Sequence, residues 1–254
     1  MPAVLPEIVA HKLREIEDMK RSMPQQEADD ITYGDGSFEK ALSGDELKLI
    51  AEIKPSSPSA GTLRANVDPD DFLRSYNAHA DAISVLTDRK YFGGSIELLS
   101  YVSSHSPRPT LCKDFVLDAC QVRQARRAGA QAVLLIAKIL DDSQLAHLHS
   151  AILELGMTPV VEVQTAEEVR RALAVSPRVM LINNRDLTTF EIDLSTTERL
   201  VPLIPGGVMI VSASGIQSRS DIERLLPCCT RFLVGSSLMQ SDDIEGKLRE
   251  LTGK

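Results

Sequence analysis

Short, largely apolar runs recur along this chain at intervals of roughly 20 to 35 residues, separated by segments with helical character. The runs are LKLIAEIK (47–54), AISVLT (82–87), PTLCK (109–113), AVLLIA (132–137), PVVEV (159–163), VMLINN (179–184), VMIVSA (208–213) and RFLVGS (231–236). Each is rich in Val, Ile and Leu, as a strand covered on both faces must be. Between them, DACQVRQARRA (118–128) has Gly129 where a C-terminal cap belongs, and SQLAHLHSAILEL (143–155) has Gly156 in the same role. TAEEVRRAL (165–173) opens with Thr165 and Glu168 at capping-box spacing. Strand, helix, strand at this period implies parallel βαβ units. Eight strands and about eight helices fit a chain of 254 residues as a closed barrel, which typically takes about 250. The expected fold is therefore α/β, a single (β/α)8 TIM barrel with an extra N-terminal helix. Residues 1–46 would be a helical extension and 47–254 the barrel, with no linker to divide them. An open doubly wound sheet is the structural alternative. No GxGxxG opens a helix after a strand, so its dinucleotide-binding version has little support.

The first 22 residues, MPAVLPEIVAHKLREIEDMKRS, carry charge throughout and lack an apolar signal core. Ile8, Leu13 and Ile16 recur at roughly helical spacing, which predicts a helix with those three along its apolar face. A polar stretch follows from about Pro24 to Gly36, and SFEKAL reads as a short helical lead-in to the first strand. No run approaches the roughly 18 apolar residues a transmembrane helix needs. The net charge of −8 argues against nucleic acid and anionic membrane as partners, because both would be repelled. A small anionic ligand stays open, since a few basic groups in one cleft dominate the local field. Cys112, Cys120, Cys228 and Cys229 form no CxxC pair, and the five histidines are scattered, so no metal is expected. Free thiols fit a reducing, cytoplasmic location.

Barrel enzymes carry their chemistry at the C-terminal ends of the strands. There the first run ends in Glu52 and Lys54, two apart and hence on one face. The third ends in Lys113 and Asp114, the fifth carries Glu162 between two valines, and the sixth ends Asn183-Asn184-Arg185. A charge inside an apolar strand is costly unless paired. Any one of these residues reads equally well as an ion-paired strand end, but a shared mouth explains them together. Ser214-Gly215 and Gly235-Ser236 follow the seventh and eighth runs, where barrels commonly hold a phosphate on backbone N–H groups, and Arg185 would add a charged contact. Taken singly, each pair is an ordinary tight turn. Together they point to a phosphorylated small molecule handled by Lys and Glu acid–base chemistry.

IAEIKPSSPSAG (50–61) resembles the first-strand signature of the indole-3-glycerol phosphate synthase family. ISVLTDRKYFGGS (83–95), LCKDFVLDACQ (111–121), AGAQAVLLIAKIL (128–140), VVEVQTAEE (160–168), LINNRDLTTFEIDLSTTERL (181–200), VSASGI (211–216) and FLVGSSLM (232–239) follow in the family's order. The resemblance implies a carboxy-lyase of tryptophan biosynthesis. It would close a pyrrole ring in 1-(2-carboxyphenylamino)-1-deoxyribulose 5-phosphate, with loss of CO2 and water and without a cofactor. It implies Lys113 as general acid at the ketone, Lys54 as a substrate-pairing lysine that assists proton transfer, and Glu162 in the dehydration. Glu52 would hold and polarise the lysines, and Asn183 would bond the reacting sugar. Ser57, Arg185, Ser214, Gly215, Gly235 and Ser236 match the phosphate-contacting set, and Pro58, Leu86, Phe92 and Phe115 the apolar wall against the aromatic ring. The implied partner is a small phosphorylated anthranilate-derived substrate, bound by a monomer or weak homo-oligomer. The first βα loop, Pro55 to Asn66 with Gly61 as hinge, is an expected lid.

One position departs from the family. The seventh-strand signature usually reads Ser-Glu-Ser-Gly, and here it is Ser212-Ala213-Ser214-Gly215. By alternation Ala213 should face the barrel mouth, where the carboxylate would have stood. A synthase that works without it is the main expectation. A related barrel that binds a similar phosphorylated aryl-amino sugar with altered or lost catalysis is the alternative. A Schiff-base aldolase or another phosphosugar barrel is more remote.

Overall fold

The computed structural model describes residues 4–22, 36–58, 60–64 and 67–253. Eight parallel strands close a barrel: β1 (Lys48–Ile53), β2 (Ala82–Leu86), β3 (Thr110–Lys113), β4 (Ala132–Ile136), β5 (Thr158–Val163), β6 (Val179–Asn183), β7 (Met209–Ala213) and β8 (Arg231–Val234). Each pairs with its sequence neighbours, and β1 closes the ring by pairing with both β2 and β8. The open-sheet alternative is thereby excluded. The helices are α1 (Val4–Ser22), α2 (Ser37–Leu42), α3 (Pro69–His79), α4 (Arg89–Phe92), α5 (Ile96–His105), α6 (Ala119–Arg127), α7 (Asp142–Glu154), α8 (Ala166–Leu173), α9 (Ser195–Leu200), α10 (Arg219–Leu225), α11 (Ser236–Met239) and α12 (Ile244–Thr252). None is long and apolar enough to cross a membrane, among the described residues.

The period-two alternation of the strands divides the core in two. Ile50, Ala82, Leu111, Leu134, Val160, Leu181, Val211 and Leu233 belong to a cluster filling the barrel. Their neighbours Ala51, Ile83, Cys112, Val133, Val161, Ile182 and Phe232 pack outward beneath the helices. Local chemistry sets the helix ends. Asp118 and Asp141 each form a reciprocal capping box with the glutamine three residues on. Gly129 and Gly156 take the left-handed conformation after their helices, at φ 88° and 69°. Thr165 caps α8 as expected, but Glu168 accepts from the Gln164 N–H at 2.7 Å, one residue earlier than a capping box requires.

Two features of the N-terminal region were not legible in advance. Leu13, expected on the apolar face of α1, is 51% exposed, and Lys12 is buried beside Ile8 and Ile16 instead. Lys12 stands four residues from both Ile8 and Ile16 and so shares their face, whereas Leu13 lies about 100° around the helix from Lys12. The Lys12 ammonium contacts Glu15 at 2.7 Å, Asp88 at 2.9 Å and Asp114 at 3.0 Å, so α1 is tied to the loops after β2 and β3. Residues 37–42, read as a lead-in, plug the opposite end of the barrel. Phe38 and Leu42 are fully buried in the inner cluster. Arg231 donates to the carbonyls of Leu42 and Gly44, and Arg178 pairs with Glu39 at 3.1 Å. Most of the polar stretch from Pro24 to Gly36 lies outside the described residues. All four cysteines are free, with Cys112, Cys120 and Cys229 buried.

Candidate active site

Glu52 organises the C-terminal mouth of the barrel. It is 2% exposed, points inward from β1 and has two ammonium groups around its carboxylate: Lys54 at 2.9 Å on Oε1 and Lys113 at 3.6 Å on Oε2. The Ser84 hydroxyl donates to Oε2 at 3.4 Å. Room for this carboxylate depends on Gly235, where an added Cβ would stand 2.4 Å from Glu52 Oε1. Burial pushes the Glu52 carboxyl up, but the two lysines outweigh it and hold the group below the usual carboxylate range. For Lys113 burial works against the ammonium, yet Glu52 and Glu162 prevail and its pKa is raised. The paired carboxylates therefore favour the charged ammonium of Lys113.

Glu162 has the opposite environment. It is buried on β5, and burial raises its pKa despite Lys113 and the Asn183 amide, which donates to Oε1 at 2.9 Å. The two carboxyl groups of one mouth are thus driven apart, Glu52 pushed down by its lysines and Glu162 pushed up by burial. Asn183 also accepts the Arg185 N–H at 3.0 Å, which fixes the start of the loop after β6.

Alternation sends Asn184 to the other side of β6. There it donates to Ser212 Oγ at 3.0 Å and the Ser214 carbonyl at 3.1 Å, and accepts from Thr197 Oγ1 at 2.8 Å. It therefore holds the turn after β7 in place. In that turn Ser214 and Gly215 are both left-handed, at φ 68° and 87°, and a Cβ on Gly215 would stand 2.6 Å from Ile192. After β8, α11 starts at Ser236, so its first-turn N–H groups have no partner within the helix. Burial lowers the Arg185 pKa, and among the described residues no carboxylate pairs with this guanidinium.

Two connected hollows share Lys54, Lys113, Glu162, Asn183, Arg185, Ser214 and Ser236. One is polar and also reaches Glu52, Ala213, Gly215 and Gly235. The other is walled by Ser57, Pro58, Leu86, Phe92 and Phe115, with the two phenylalanine rings 5.9 Å apart. The residues given catalytic, phosphate or aromatic-wall roles from the sequence all line these two hollows, whereas Asn184 does not. The Ala213 methyl faces inward at 3% exposure, so no carboxylate stands at that position. Leu134, Ile136, Leu187 and Phe190 complete the apolar side and went unnoticed in the sequence. Leu134 and Ile136 were visible only once the inward parity of β4 was known. Leu187 and Phe190 gave a signal, as apolar residues in a loop otherwise polar. Lys12, Asp88 and Asp114 form a buried ion cluster behind Lys113 that no periodicity announced. No group of His, Cys, Asp and Glu among the described residues is arranged to hold a metal ion.

The arrangement joins a cationic centre to an apolar slot on one side and to backbone N–H groups on the other. It suits an anion-bearing molecule with a flat apolar end. Among solved structures, 3-hexulose-6-phosphate synthase from Salmonella typhimurium aligns with a TM-score of 0.66 at 15% identity, covering 82% of this chain and 97% of that one, a likeness of fold alone. The TrpCF tryptophan biosynthesis protein of Helicobacter pylori (strain ATCC 700392 / 26695) is 41% identical over 96% of this chain, which spans only 54% of that relative's length. The indole-3-glycerol phosphate synthase of Dehalococcoides mccartyi (strain CBDB1) is 42% identical, with 98% of this chain and 99% of that protein covered. The model of the indole-3-glycerol phosphate synthase family matches residues 5–251, and the chain belongs to that family.

Proposed function

We propose that the chain is a carboxy-lyase that converts 1-(2-carboxyphenylamino)-1-deoxyribulose 5-phosphate to indole-3-glycerol phosphate. The observation that carries this reading is Glu52 holding Lys54 and Lys113 between an apolar slot and the turns after β7 and β8. The aryl ring occupies the slot walled by Pro58, Leu86, Phe92 and Phe115. The phosphate takes the N–H groups of Gly215, Gly235 and Ser236, with Ser57, Ser214 and Arg185 beside them.

The aromatic carbon bearing the carboxylate attacks the ketone carbon, and Lys113 gives the ketone oxygen its proton. CO2 leaves with the C–C bonding pair returning to the ring, which restores aromaticity. Glu162, its pKa raised by burial, then gives a proton to the departing hydroxyl, and the neighbouring methylene gives its proton to the Lys113 amine left neutral by the first step as the double bond forms. Lys54 pairs with the substrate and assists these transfers, Glu52 polarises both lysines, and Asn183 orients Glu162 and the sugar. The steps are redox-neutral and need only acid–base groups, so no cofactor is required. Ala213 leaves these roles to Glu52 and Glu162, and nothing beyond that one alanine favours a barrel that binds without turnover. One barrel domain over residues 47–254, with its N-terminal extension, acts in the cytoplasm as a monomer or weak homo-oligomer. It has no nucleic-acid or membrane partner.

The test is incubation of purified protein with this substrate, followed by indole fluorescence and by mass. A product lacking one CO2 and one water supports the reading, and unchanged substrate refutes it.

A further inference from the structure

The loop after β6 is a tight hairpin with a strained tip. Arg185 pairs antiparallel with Ile192, the Asp186 N–H donates to the Glu191 carbonyl at 2.9 Å, and the Phe190 N–H donates to the Asp186 carbonyl at 2.9 Å. The Asp186 carboxylate accepts the N–H groups of Thr188 and Thr189 at 2.6 and 3.0 Å. Phe190 sits at φ 64°, in the left-handed region that glycine and asparagine enter readily and a bulky side chain does not.

None of the hairpin's hydrogen bonds uses the phenylalanine ring, so an asparagine would close the same turn with less strain. Nor is the ring part of the core, because Phe190 packs on neither apolar cluster, whereas Leu187 packs on the inner one. Phe190 lines the apolar hollow together with Pro58 and Phe92. The backbone is fastened from both sides. Arg185 Nη1 donates to the Phe190 carbonyl at 3.2 Å, and Gln164 Nε2 donates to the Arg185 carbonyl at 2.5 Å. Strain that the surroundings over-determine, at a side chain idle in folding, is strain kept for a ligand.

We propose that Phe190 is a specificity-determining residue, its left-handed backbone latched by Arg185 so that its ring closes the slot over a flat apolar group on a phosphorylated ligand. The ligand class rests on the function proposed above. Because Arg185 also faces the phosphate end, one side chain links recognition of the anion to the placement of the ring.

Binding is measured by calorimetry, with melting temperatures alongside, for wild type, Phe190→Asn and Phe190→Leu. Two probes are used: the C2-alcohol analogue of the substrate, which has no ketone and cannot close, and D-ribose 5-phosphate, which has no aryl group. Phe190→Asn is expected to bind the analogue about tenfold more weakly. Its affinity for ribose 5-phosphate should stay within about twofold. It should melt no lower than wild type, since left-handed strain is relieved. Phe190→Leu should recover most of the lost affinity. Unchanged analogue binding, an equal loss for both probes, or a lower melting temperature in Phe190→Asn would each overturn the proposal. A wild type that binds the analogue but turns over no substrate would refute the catalytic reading and leave this one standing. A wild type that binds neither probe would refute both.

Discussion

At the scale of single residues, the mouth works through the contrast between Glu52 and Glu162. Both are buried, yet Glu52 has two ammonium groups within 3.6 Å and stays charged, while Glu162 relies on one amide hydrogen bond and the more distant Lys113. The Asn183 amide stabilises the charged form of Glu162, so removing it pushes that carboxyl further up. In Asn183→Ala the limb of the pH–rate profile that reports Glu162 should therefore move to higher pH, with kcat lowered by about tenfold or more. A pH profile of kcat/KM checks this, and an unmoved limb would separate Asn183 from Glu162. The residues of this mouth were partly legible. Glu52, Lys54, Lys113 and Glu162 stand out because charge in an apolar strand demands a reason. What spacing did not supply was the sign of the Lys113 shift, which depends on distances between residues far apart in sequence.

At the scale of elements, α1 is fastened to the active end by a buried cation. Burial disfavours the Lys12 ammonium, but Asp114, Glu15 and Asp88 outweigh it and its pKa is raised. Asp114 lies between Lys113 and Phe115 and also accepts from the Thr87 hydroxyl at 2.6 Å, so this cluster braces the strand end that carries the proposed acid. Replacing Lys12 by Met leaves buried carboxylates without their counterion, and should cost about 3 to 5 kcal/mol. For a chain of this size that lowers the melting temperature by about 10 °C. The double variant Lys12→Met/Asp88→Asn should recover part of the loss, because Asn still caps α4 while the charge is gone. Thermal denaturation of the two variants decides it, and an unchanged melting temperature in Lys12→Met would refute the brace. The strands of the barrel were legible to within a residue or two, because two-faced burial leaves continuous apolar runs. The faces of α1 were not, since a buried lysine breaks the rule that apolar residues mark the inner side.

At the scale of the whole molecule, stability and chemistry occupy opposite ends of the barrel. The plug of Phe38 and Leu42 seals one end, and the other holds charges that folding alone would not select. Glu162 shows the tension. Its folded pKa is raised, so its contribution to stability is fully present below the unfolded carboxylate pKa of about 4.3 and is lost as pH rises through the folded value. Glu162→Gln removes that loss, and should melt higher than wild type above pH 7, with the advantage shrinking towards pH 4. A lower melting temperature at pH 8 would contradict this. The βα period revealed the architecture, and the strand-end charges pointed to the mouth in which the proposed site lies. The plug, the ion cluster and the hairpin tip at Phe190 arise from contacts over long sequence separations and became visible only in the folded chain. The most direct measurement is a single-turnover experiment comparing wild type with Lys113→Met on the carboxyphenylamino-deoxyribulose phosphate. Wild type should release one CO2 per indole formed, and Lys113→Met should close the ring at least about a hundredfold more slowly. Its affinity for the C2-alcohol analogue should hold within several-fold. A wild type that binds the substrate without closing the ring, or a Lys113→Met variant as fast as wild type, would contradict the proposed chemistry.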